Sequence, residues 1–154
     1  MGPANNLNYL IQHIAAVQTR QTDQLLADKL DIRLSQYRIL MVLEWNPRVE
    51  QKVIANALGQ SEASISRQTK VLIKKGLLEV KPDPKDKRSR ISMPTPKGMQ
   101  TTEEATNLLK HKFTQDYDNF KATELSNLSD SLISLHKSIC KQGKLGACNH
   151  LLGF

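Results

Sequence analysis

The stretch QSEASISRQTKVLIKKGL, from Gln60 to Leu77, decides the fold. Ser61 has the side chain of a helix N-cap, Glu62 suits the positive end of a helix, and Gly76 is the residue type that closes one in the left-handed conformation. Together they predict a helix of about four turns. Ile65, Thr69, Leu72 and Ile73 fall at i, i+4, i+7 and i+8 and share a stripe suited to a core. The opposite stripe holds Ala63, Arg67, Lys70 and Lys74, with Ser64 beside it. Small residues, hydroxyls and long cations suit a helix that enters a major groove, where it approaches base edges and no carboxylate should meet a phosphate. Taken alone, the same face reads as a solvated amphipathic surface.

The flanking residues favour the first reading. Upstream, QKVIANAL (Gln51 to Leu58) is a short helix with Ile54, Ala55 and Leu58 inward, and Gly59-Gln60 turns into Ser61. Helix, short glycine-containing turn and second helix make a helix-turn-helix. Downstream, Leu78 and Val80 alternate with Glu79, and Ile91 and Met93 alternate with Arg90 and Ser92, which is the period-two pattern of strands. Between them PDPKDKRS, Pro82 to Ser89, forms a turn-rich tip carrying Lys85, Lys87 and Arg88. A basic hairpin directly after the second helix is a wing, placed to put a cation into a narrow, negative minor groove.

At this point the run from Ile32 to Gly98 resembles the winged helix-turn-helix of the MarR family of transcription regulators. The resemblance rests on LSQYRIL (Leu34 to Leu40), IANALGQS (Ile54 to Ser61), SISR (Ser64 to Arg67), KKGLLE (Lys74 to Glu79), DPKDKR (Asp83 to Arg88) and TPKG (Thr95 to Gly98). The resemblance implies that Ser64, Ser66 and Arg67 hold base-reading positions and that Arg88 is the wing-tip arginine. The whole DNA-facing set is expected to be Ser61, Ser64, Ser66, Arg67, Gln68, Lys70, Lys74, Lys85, Lys87, Arg88 and Arg90. Two residues depart from the family pattern. Val80 stands where an arginine is frequent, and Pro94 where a leucine is usual, so a shorter or differently angled wing is expected.

Charge agrees with this placement. The chain has 154 residues and a net charge of +7. Residues 33–98 hold 14 Lys/Arg against 6 Asp/Glu, a net +8, and the remainder of the chain is therefore at −1. An excess confined to one segment points to a polyanion footprint. The 39% hydrophobic content supports a real core. No apolar run approaches the roughly 20 residues of a membrane span, and MGPANNLNYL lacks an export pattern. The expectation is a cytoplasmic protein.

Residues 5–30 predict a first helix. Leu7, Leu10, Ile11, Ile14 and Val17 step by threes and fours, and Leu25, Leu26 and Leu30 resume the stripe after a polar interval, as in a helix shared between subunits. Ser35 is expected to cap a second helix filled by Tyr37, Leu40, Met41 and Val42 to Trp45, and Asn46-Pro47 to stop it. Tyr37 and Trp45 read as core residues. Thr95-Pro96 opens a long helix reaching toward Phe120, with Ala105, Leu108, Leu109, Phe113, Tyr117 and Phe120 inward. Beyond Ala122, the spacing of Leu125, Leu128, Leu132, Leu135 and Ile139 is that of a helix lying along a partner helix. The apolar tail LGACNHLLGF is expected to pack on a dimer.

No glycine-rich phosphate loop, hydrolase elbow or paired metal motif occurs, so neither an enzyme nor a cofactor protein is expected. Cys140 and Cys148 could form a disulfide on oxidation, and His136, Cys140, Cys148 and His150 have the ligand types of a zinc site without its paired short loops. Reduced, packed or solvent-facing side chains are the simpler reading, and no metal is assigned.

The reading is therefore mainly α with a small β wing: a winged helix-turn-helix flanked by N- and C-terminal dimerisation helices. Residues 1–32 form the first arm, 33–98 the DNA-binding region and 99–154 the second arm, in one intertwined unit. The expected function is a sequence-specific, homodimeric regulator of double-stranded DNA, a repressor on a near-palindrome. The resemblance implies a small-molecule effector, for which Tyr37, Trp45, His13 and His111 are candidate contacts. The competing readings are a winged-helix module for protein assembly and a nucleoid-type binder without sequence preference.

Overall fold

A computed structural model describes residues 2–86 and 88–139. In chain order the elements are α1 (Pro3–Leu30), α2 (Leu34–Trp45), β1 (Val49–Glu50), α3 (Gln51–Leu58), α4 (Glu62–Lys74), β2 (Leu78–Pro82), β3 (Arg90–Pro94), α5 (Pro96–Asp116) and α6 (Ala122–Ile139). The chain is mainly α with a small wing, as the sequence predicts. The antiparallel sheet has the order β1-β3-β2, with Val49 opposite Ser92 and Val80 opposite Ser92.

One core joins the C-terminal part of α1, α2, α3, the inner face of α4, the start of β2 and α5 as far as Leu109. Leu26, Ile32, Ile39, Leu40, Leu43, Ile54, Ile65, Leu72 and Leu78 are at its centre and almost wholly out of water. At about 25 cal/mol per Å² of apolar surface, this burial is the main force holding the helices together.

The junction between α4 and α5 explains the TPKG motif. Gly76, at φ +70°, ends α4, and its N–H and that of Leu77 return to the carbonyls of Ile73 and Leu72. The Thr95 hydroxyl donates to the Gly76 carbonyl (2.6 Å) and accepts from the Gly98 N–H (3.0 Å), capping α5 while pinning it to the end of α4. Gly98 lies so close that a Cβ there would sit 1.9 Å from the Leu77 carbonyl oxygen.

Several sequence expectations need correction. The N-cap of α2 is Arg33, and Ser35 lies inside the helix. The Leu34 N–H is met by the Asp23 carboxylate from α1 (2.8 Å), and the Arg33 N–H by the Gln36 side chain (3.1 Å). Trp45 is 67% exposed rather than core, because the helix ends there and the chain leaves through Asn46-Pro47. Ile73, on the edge of the α4 stripe, is 43% exposed. In β3, Ser92 is fully buried opposite Val49 and Val80, and Ile91 on the other face is buried too, whereas Met93 is half-buried. The third strand, β1, makes β3 the central one. Pro94 terminates β3 without shortening it, since β2 and β3 each have five residues.

Helix α5 ends at Asp116, and Phe113, Tyr117 and Phe120 are exposed in the single chain rather than inward. No residue of α6 is buried.

Candidate nucleic-acid interface

The local reason for the α4 helix is the one its sequence suggests. The Ser61 hydroxyl accepts from the Ser64 N–H (3.2 Å), and Glu62 lies in the first turn, where the helix dipole favours a carboxylate. Ile65, Thr69 and Leu72 face the core. Ala63, Arg67, Lys70 and Lys74 lie exposed on the opposite side. Arg67, Lys70 and Lys74 make no ion pair with any described residue, so their charge is uncompensated along the outer face.

The polar residues of α4 divide in two. Ser61 is engaged as the cap, and the Ser64 hydroxyl donates to Gln60 (3.2 Å). Gln68 is half-buried and its side-chain oxygen accepts from Gln36 of α2 (3.1 Å). Ser66 is half-buried, whereas Arg67 and Lys70 reach into solvent.

The wing tip owes its shape to two aspartates. Asp83 accepts from the Lys85 N–H (2.8 Å) and Asp86 from the Arg88 N–H (2.9 Å), two successive Asx turns. The Asp83 N–H closes the hairpin on the Ser89 carbonyl (2.9 Å), and the Ser89 hydroxyl donates to Glu50 at the edge of β1 (2.6 Å). The acids of DPKDKR are thus used to fold the loop, and Lys85, Arg88 and Arg90 remain exposed. Sequence reading missed this role, although an aspartate two residues before each supported N–H is its recognisable signature. Lys87 lies outside the described residues, as do Cys140, Cys148, His150 and the apolar tail.

The candidate effector residues are not brought together. Tyr37 is buried, and its hydroxyl lies 3.0 Å from that of Thr106. The Thr106 hydroxyl donates to the Thr102 carbonyl (2.8 Å), so Tyr37 is the donor to Thr106. Burial raises the pKa of this phenol, an effect opposed by the Thr106 hydrogen bond and reinforced by the charge of Glu44. His13 stacks on Tyr9 at the exposed N-terminal half of α1. Of the four candidates, His111 alone borders the groove of about 490 Å³ between α1 and α5, where Leu25 and Leu108 supply apolar surface and Gln21, Gln24 and Lys112 polar groups. No group of acids, histidines or cysteines among the described residues could hold a metal ion. No described helix is long and apolar enough to cross a membrane.

Residues 30–89 match the family model described as MarR family. The fold is similar to that of wild-type apo MarR from E. coli, with a TM-score of 0.74 and 23% identity over 88% of this chain and 96% of that one. It is also similar to the transcriptional regulator BldR from Sulfolobus solfataricus (TM-score 0.69, 22% identity, 87% and 99% covered). A third similar structure is an organohalide-sensing transcriptional regulator in its 2,4-dichlorophenol-bound form (TM-score 0.77, 18% identity, 90% and 82% covered). No curated protein matches the chain.

Proposed function

We propose that this chain, a winged-helix protein of the MarR family, is a transcriptional regulator that binds double-stranded DNA. The observation that carries the reading is the outer face of α4, where Arg67, Lys70 and Lys74 project without ion-pair partners from a helix whose other face is fixed in the core. Arginine can meet the two acceptors of guanine in the major groove, and lysines on the same helix suit the flanking phosphates. The exposed cations of the tip, Lys85 and Arg88, suit the adjacent minor groove or backbone. The reading involves no catalysis and no cofactor.

We further propose a homodimer acting as a repressor in the cytoplasm. Leu7, Leu10 and Ile14 on α1 and Leu128, Leu132 and Ile133 on α6 are exposed in the single chain. A second copy covering them would form an arm that holds two reading heads apart, for half-sites about one helical turn from each other. A small apolar effector with a polar group suits the groove between α1 and α5, and one of the similar proteins carries a chlorophenol. Such a ligand would act by its differential affinity for head spacings that do and do not fit DNA.

The test is selection from random duplexes at near-physiological salt, followed by sequencing of those retained. The reading expects enrichment of a near-palindrome. Retention without enrichment would point to a sequence-tolerant binder, and no retention to a protein-assembly module. Either outcome would contradict it.

A further inference from the structure

Gln36 is the only carboxamide buried among the described residues, and both its ends are committed. Its oxygen accepts from the Arg33 N–H and its nitrogen donates to the Gln68 oxygen, each at 3.1 Å. The Arg33 N–H fixes the orientation, since a flipped amide would set donor against donor. Gln68 must therefore turn its oxygen inward. Recognition of adenine by glutamine needs the oxygen and the nitrogen of one amide presented together, and with its oxygen turned inward to Gln36, Gln68 does not present that pair to the groove.

The same chain of bonds continues to α1. Asp23 accepts from the Leu34 N–H with one oxygen and from the Arg33 guanidinium with the other, both at 2.8 Å. A second tie joins the ends of the two helices. Asp31, the left-handed C-cap of α1, holds the ammonium of Lys75, the C-cap of α4, at 3.1 Å, and Lys97 donates to the Lys75 carbonyl (3.0 Å). Between these ties, the buried stripe of α4 is only Ile65, Thr69 and Leu72. So narrow a stripe specifies rotation about the helix axis weakly, and directional polar bonds specify it well.

We propose that Gln68 is a positioning residue and not a base reader: through Gln36, Arg33 and Asp23 it fixes the rotation of α4 relative to α1, and so which side chains face the groove. The proposal rests on the DNA-reading function proposed above, and it deepens that function by making α1 the reference against which the reading head is set.

The test uses the full chain with Gln36→Met, Gln68→Met and the double substitution. Backbone amide exchange without DNA is measured first. Loss of the tie should speed exchange from Ile65 to Leu72 by about five- to tenfold in each variant, with β2 and β3 unchanged. Gln68 is half-exposed, so its variant decides the matter should Gln36→Met fail to fold. Unchanged exchange along α4 would overturn the proposal. Duplex selection is then repeated. Equal blurring of base preference across the site in both single variants, with no further loss in the double, is the expected result. Loss at a single base pair in Gln68→Met, with Gln36→Met unchanged, would overturn it by making Gln68 a reader. If the unsubstituted protein enriches no duplex, the DNA-reading function fails on its own and amide exchange still decides whether the tie exists.

Discussion

Helices α4 and α6 are both amphipathic, yet they end in different situations. In α4, Ile65, Thr69 and Leu72 are buried within their own chain. In α6, which has 18 residues and a clearer row of leucines, no residue is buried. Periodicity states that a face needs covering and says nothing about what covers it. For α4 the cover is α3, α2 and the start of β2. For α6, and for the N-terminal half of α1, we assign the cover to a second copy of the chain. The stability of α4 should thus be independent of concentration, whereas that of the arms should depend on it.

Substitutions can break this contrast, and the largest effect is expected in the core. Leu72→Ala should cost about 2–5 kcal/mol by opening a cavity beneath α4, read by urea unfolding at two protein concentrations with the same loss at each. A loss that changed with concentration would place α4 in an interface. Gly98→Ala should cost about 1–3 kcal/mol, since the new methyl meets the Leu77 carbonyl and must push α5 away from α4. Leu132→Ser in α6 should instead leave each chain folded and shift sedimentation toward monomer, with the unfolding midpoint lowered and losing its dependence on concentration. No change in sedimentation would remove α6 from the proposed interface.

Two smaller effects sharpen the same picture. Ser61→Ala should cost about 1 kcal/mol through loss of the α4 cap, seen in the thermal midpoint. Tyr37 has a raised pKa because it is buried, so its folded state favours the neutral phenol. That contribution is fully present below about pH 10, the unfolded value, and is lost as pH rises through the higher folded value. Tyr37→Phe should therefore flatten the alkaline limb of stability against pH, measured by urea unfolding between pH 9 and pH 11.

Much of this molecule was legible in its sequence because the signals were local. Ser61 and Gly76 bound α4, Thr95-Pro96 starts α5, and Gly59 turns α3 into α4 within a few residues of the bonds they make. What escaped reading depends on distant partners. The cap of α2 comes from Asp23, eleven positions before the Leu34 N–H it meets, so a local search settles on Ser35. The strand β1 has two residues, too few for a period, and exists because β3 is there to pair with it. Alternation in β3 marks a strand without saying which face is covered: pairing sets Ser92 beside Val49 and Val80, and Ile91 on the other face is buried as well. Gln68 belonged to the candidate reading face by position, and only the fold brings Gln36 within reach of it.

The central claim is that the outer face of α4 reads bases, and Arg67 tests it most directly. The measurement is the affinity of the unsubstituted protein and of Arg67→Ala for the duplex recovered by selection and for a shuffled duplex of equal length, at one fixed salt concentration. The account predicts that Arg67→Ala loses about 1–3 kcal/mol on the recovered duplex and much less on the shuffled one. Equal losses on both, or none on either, would contradict it.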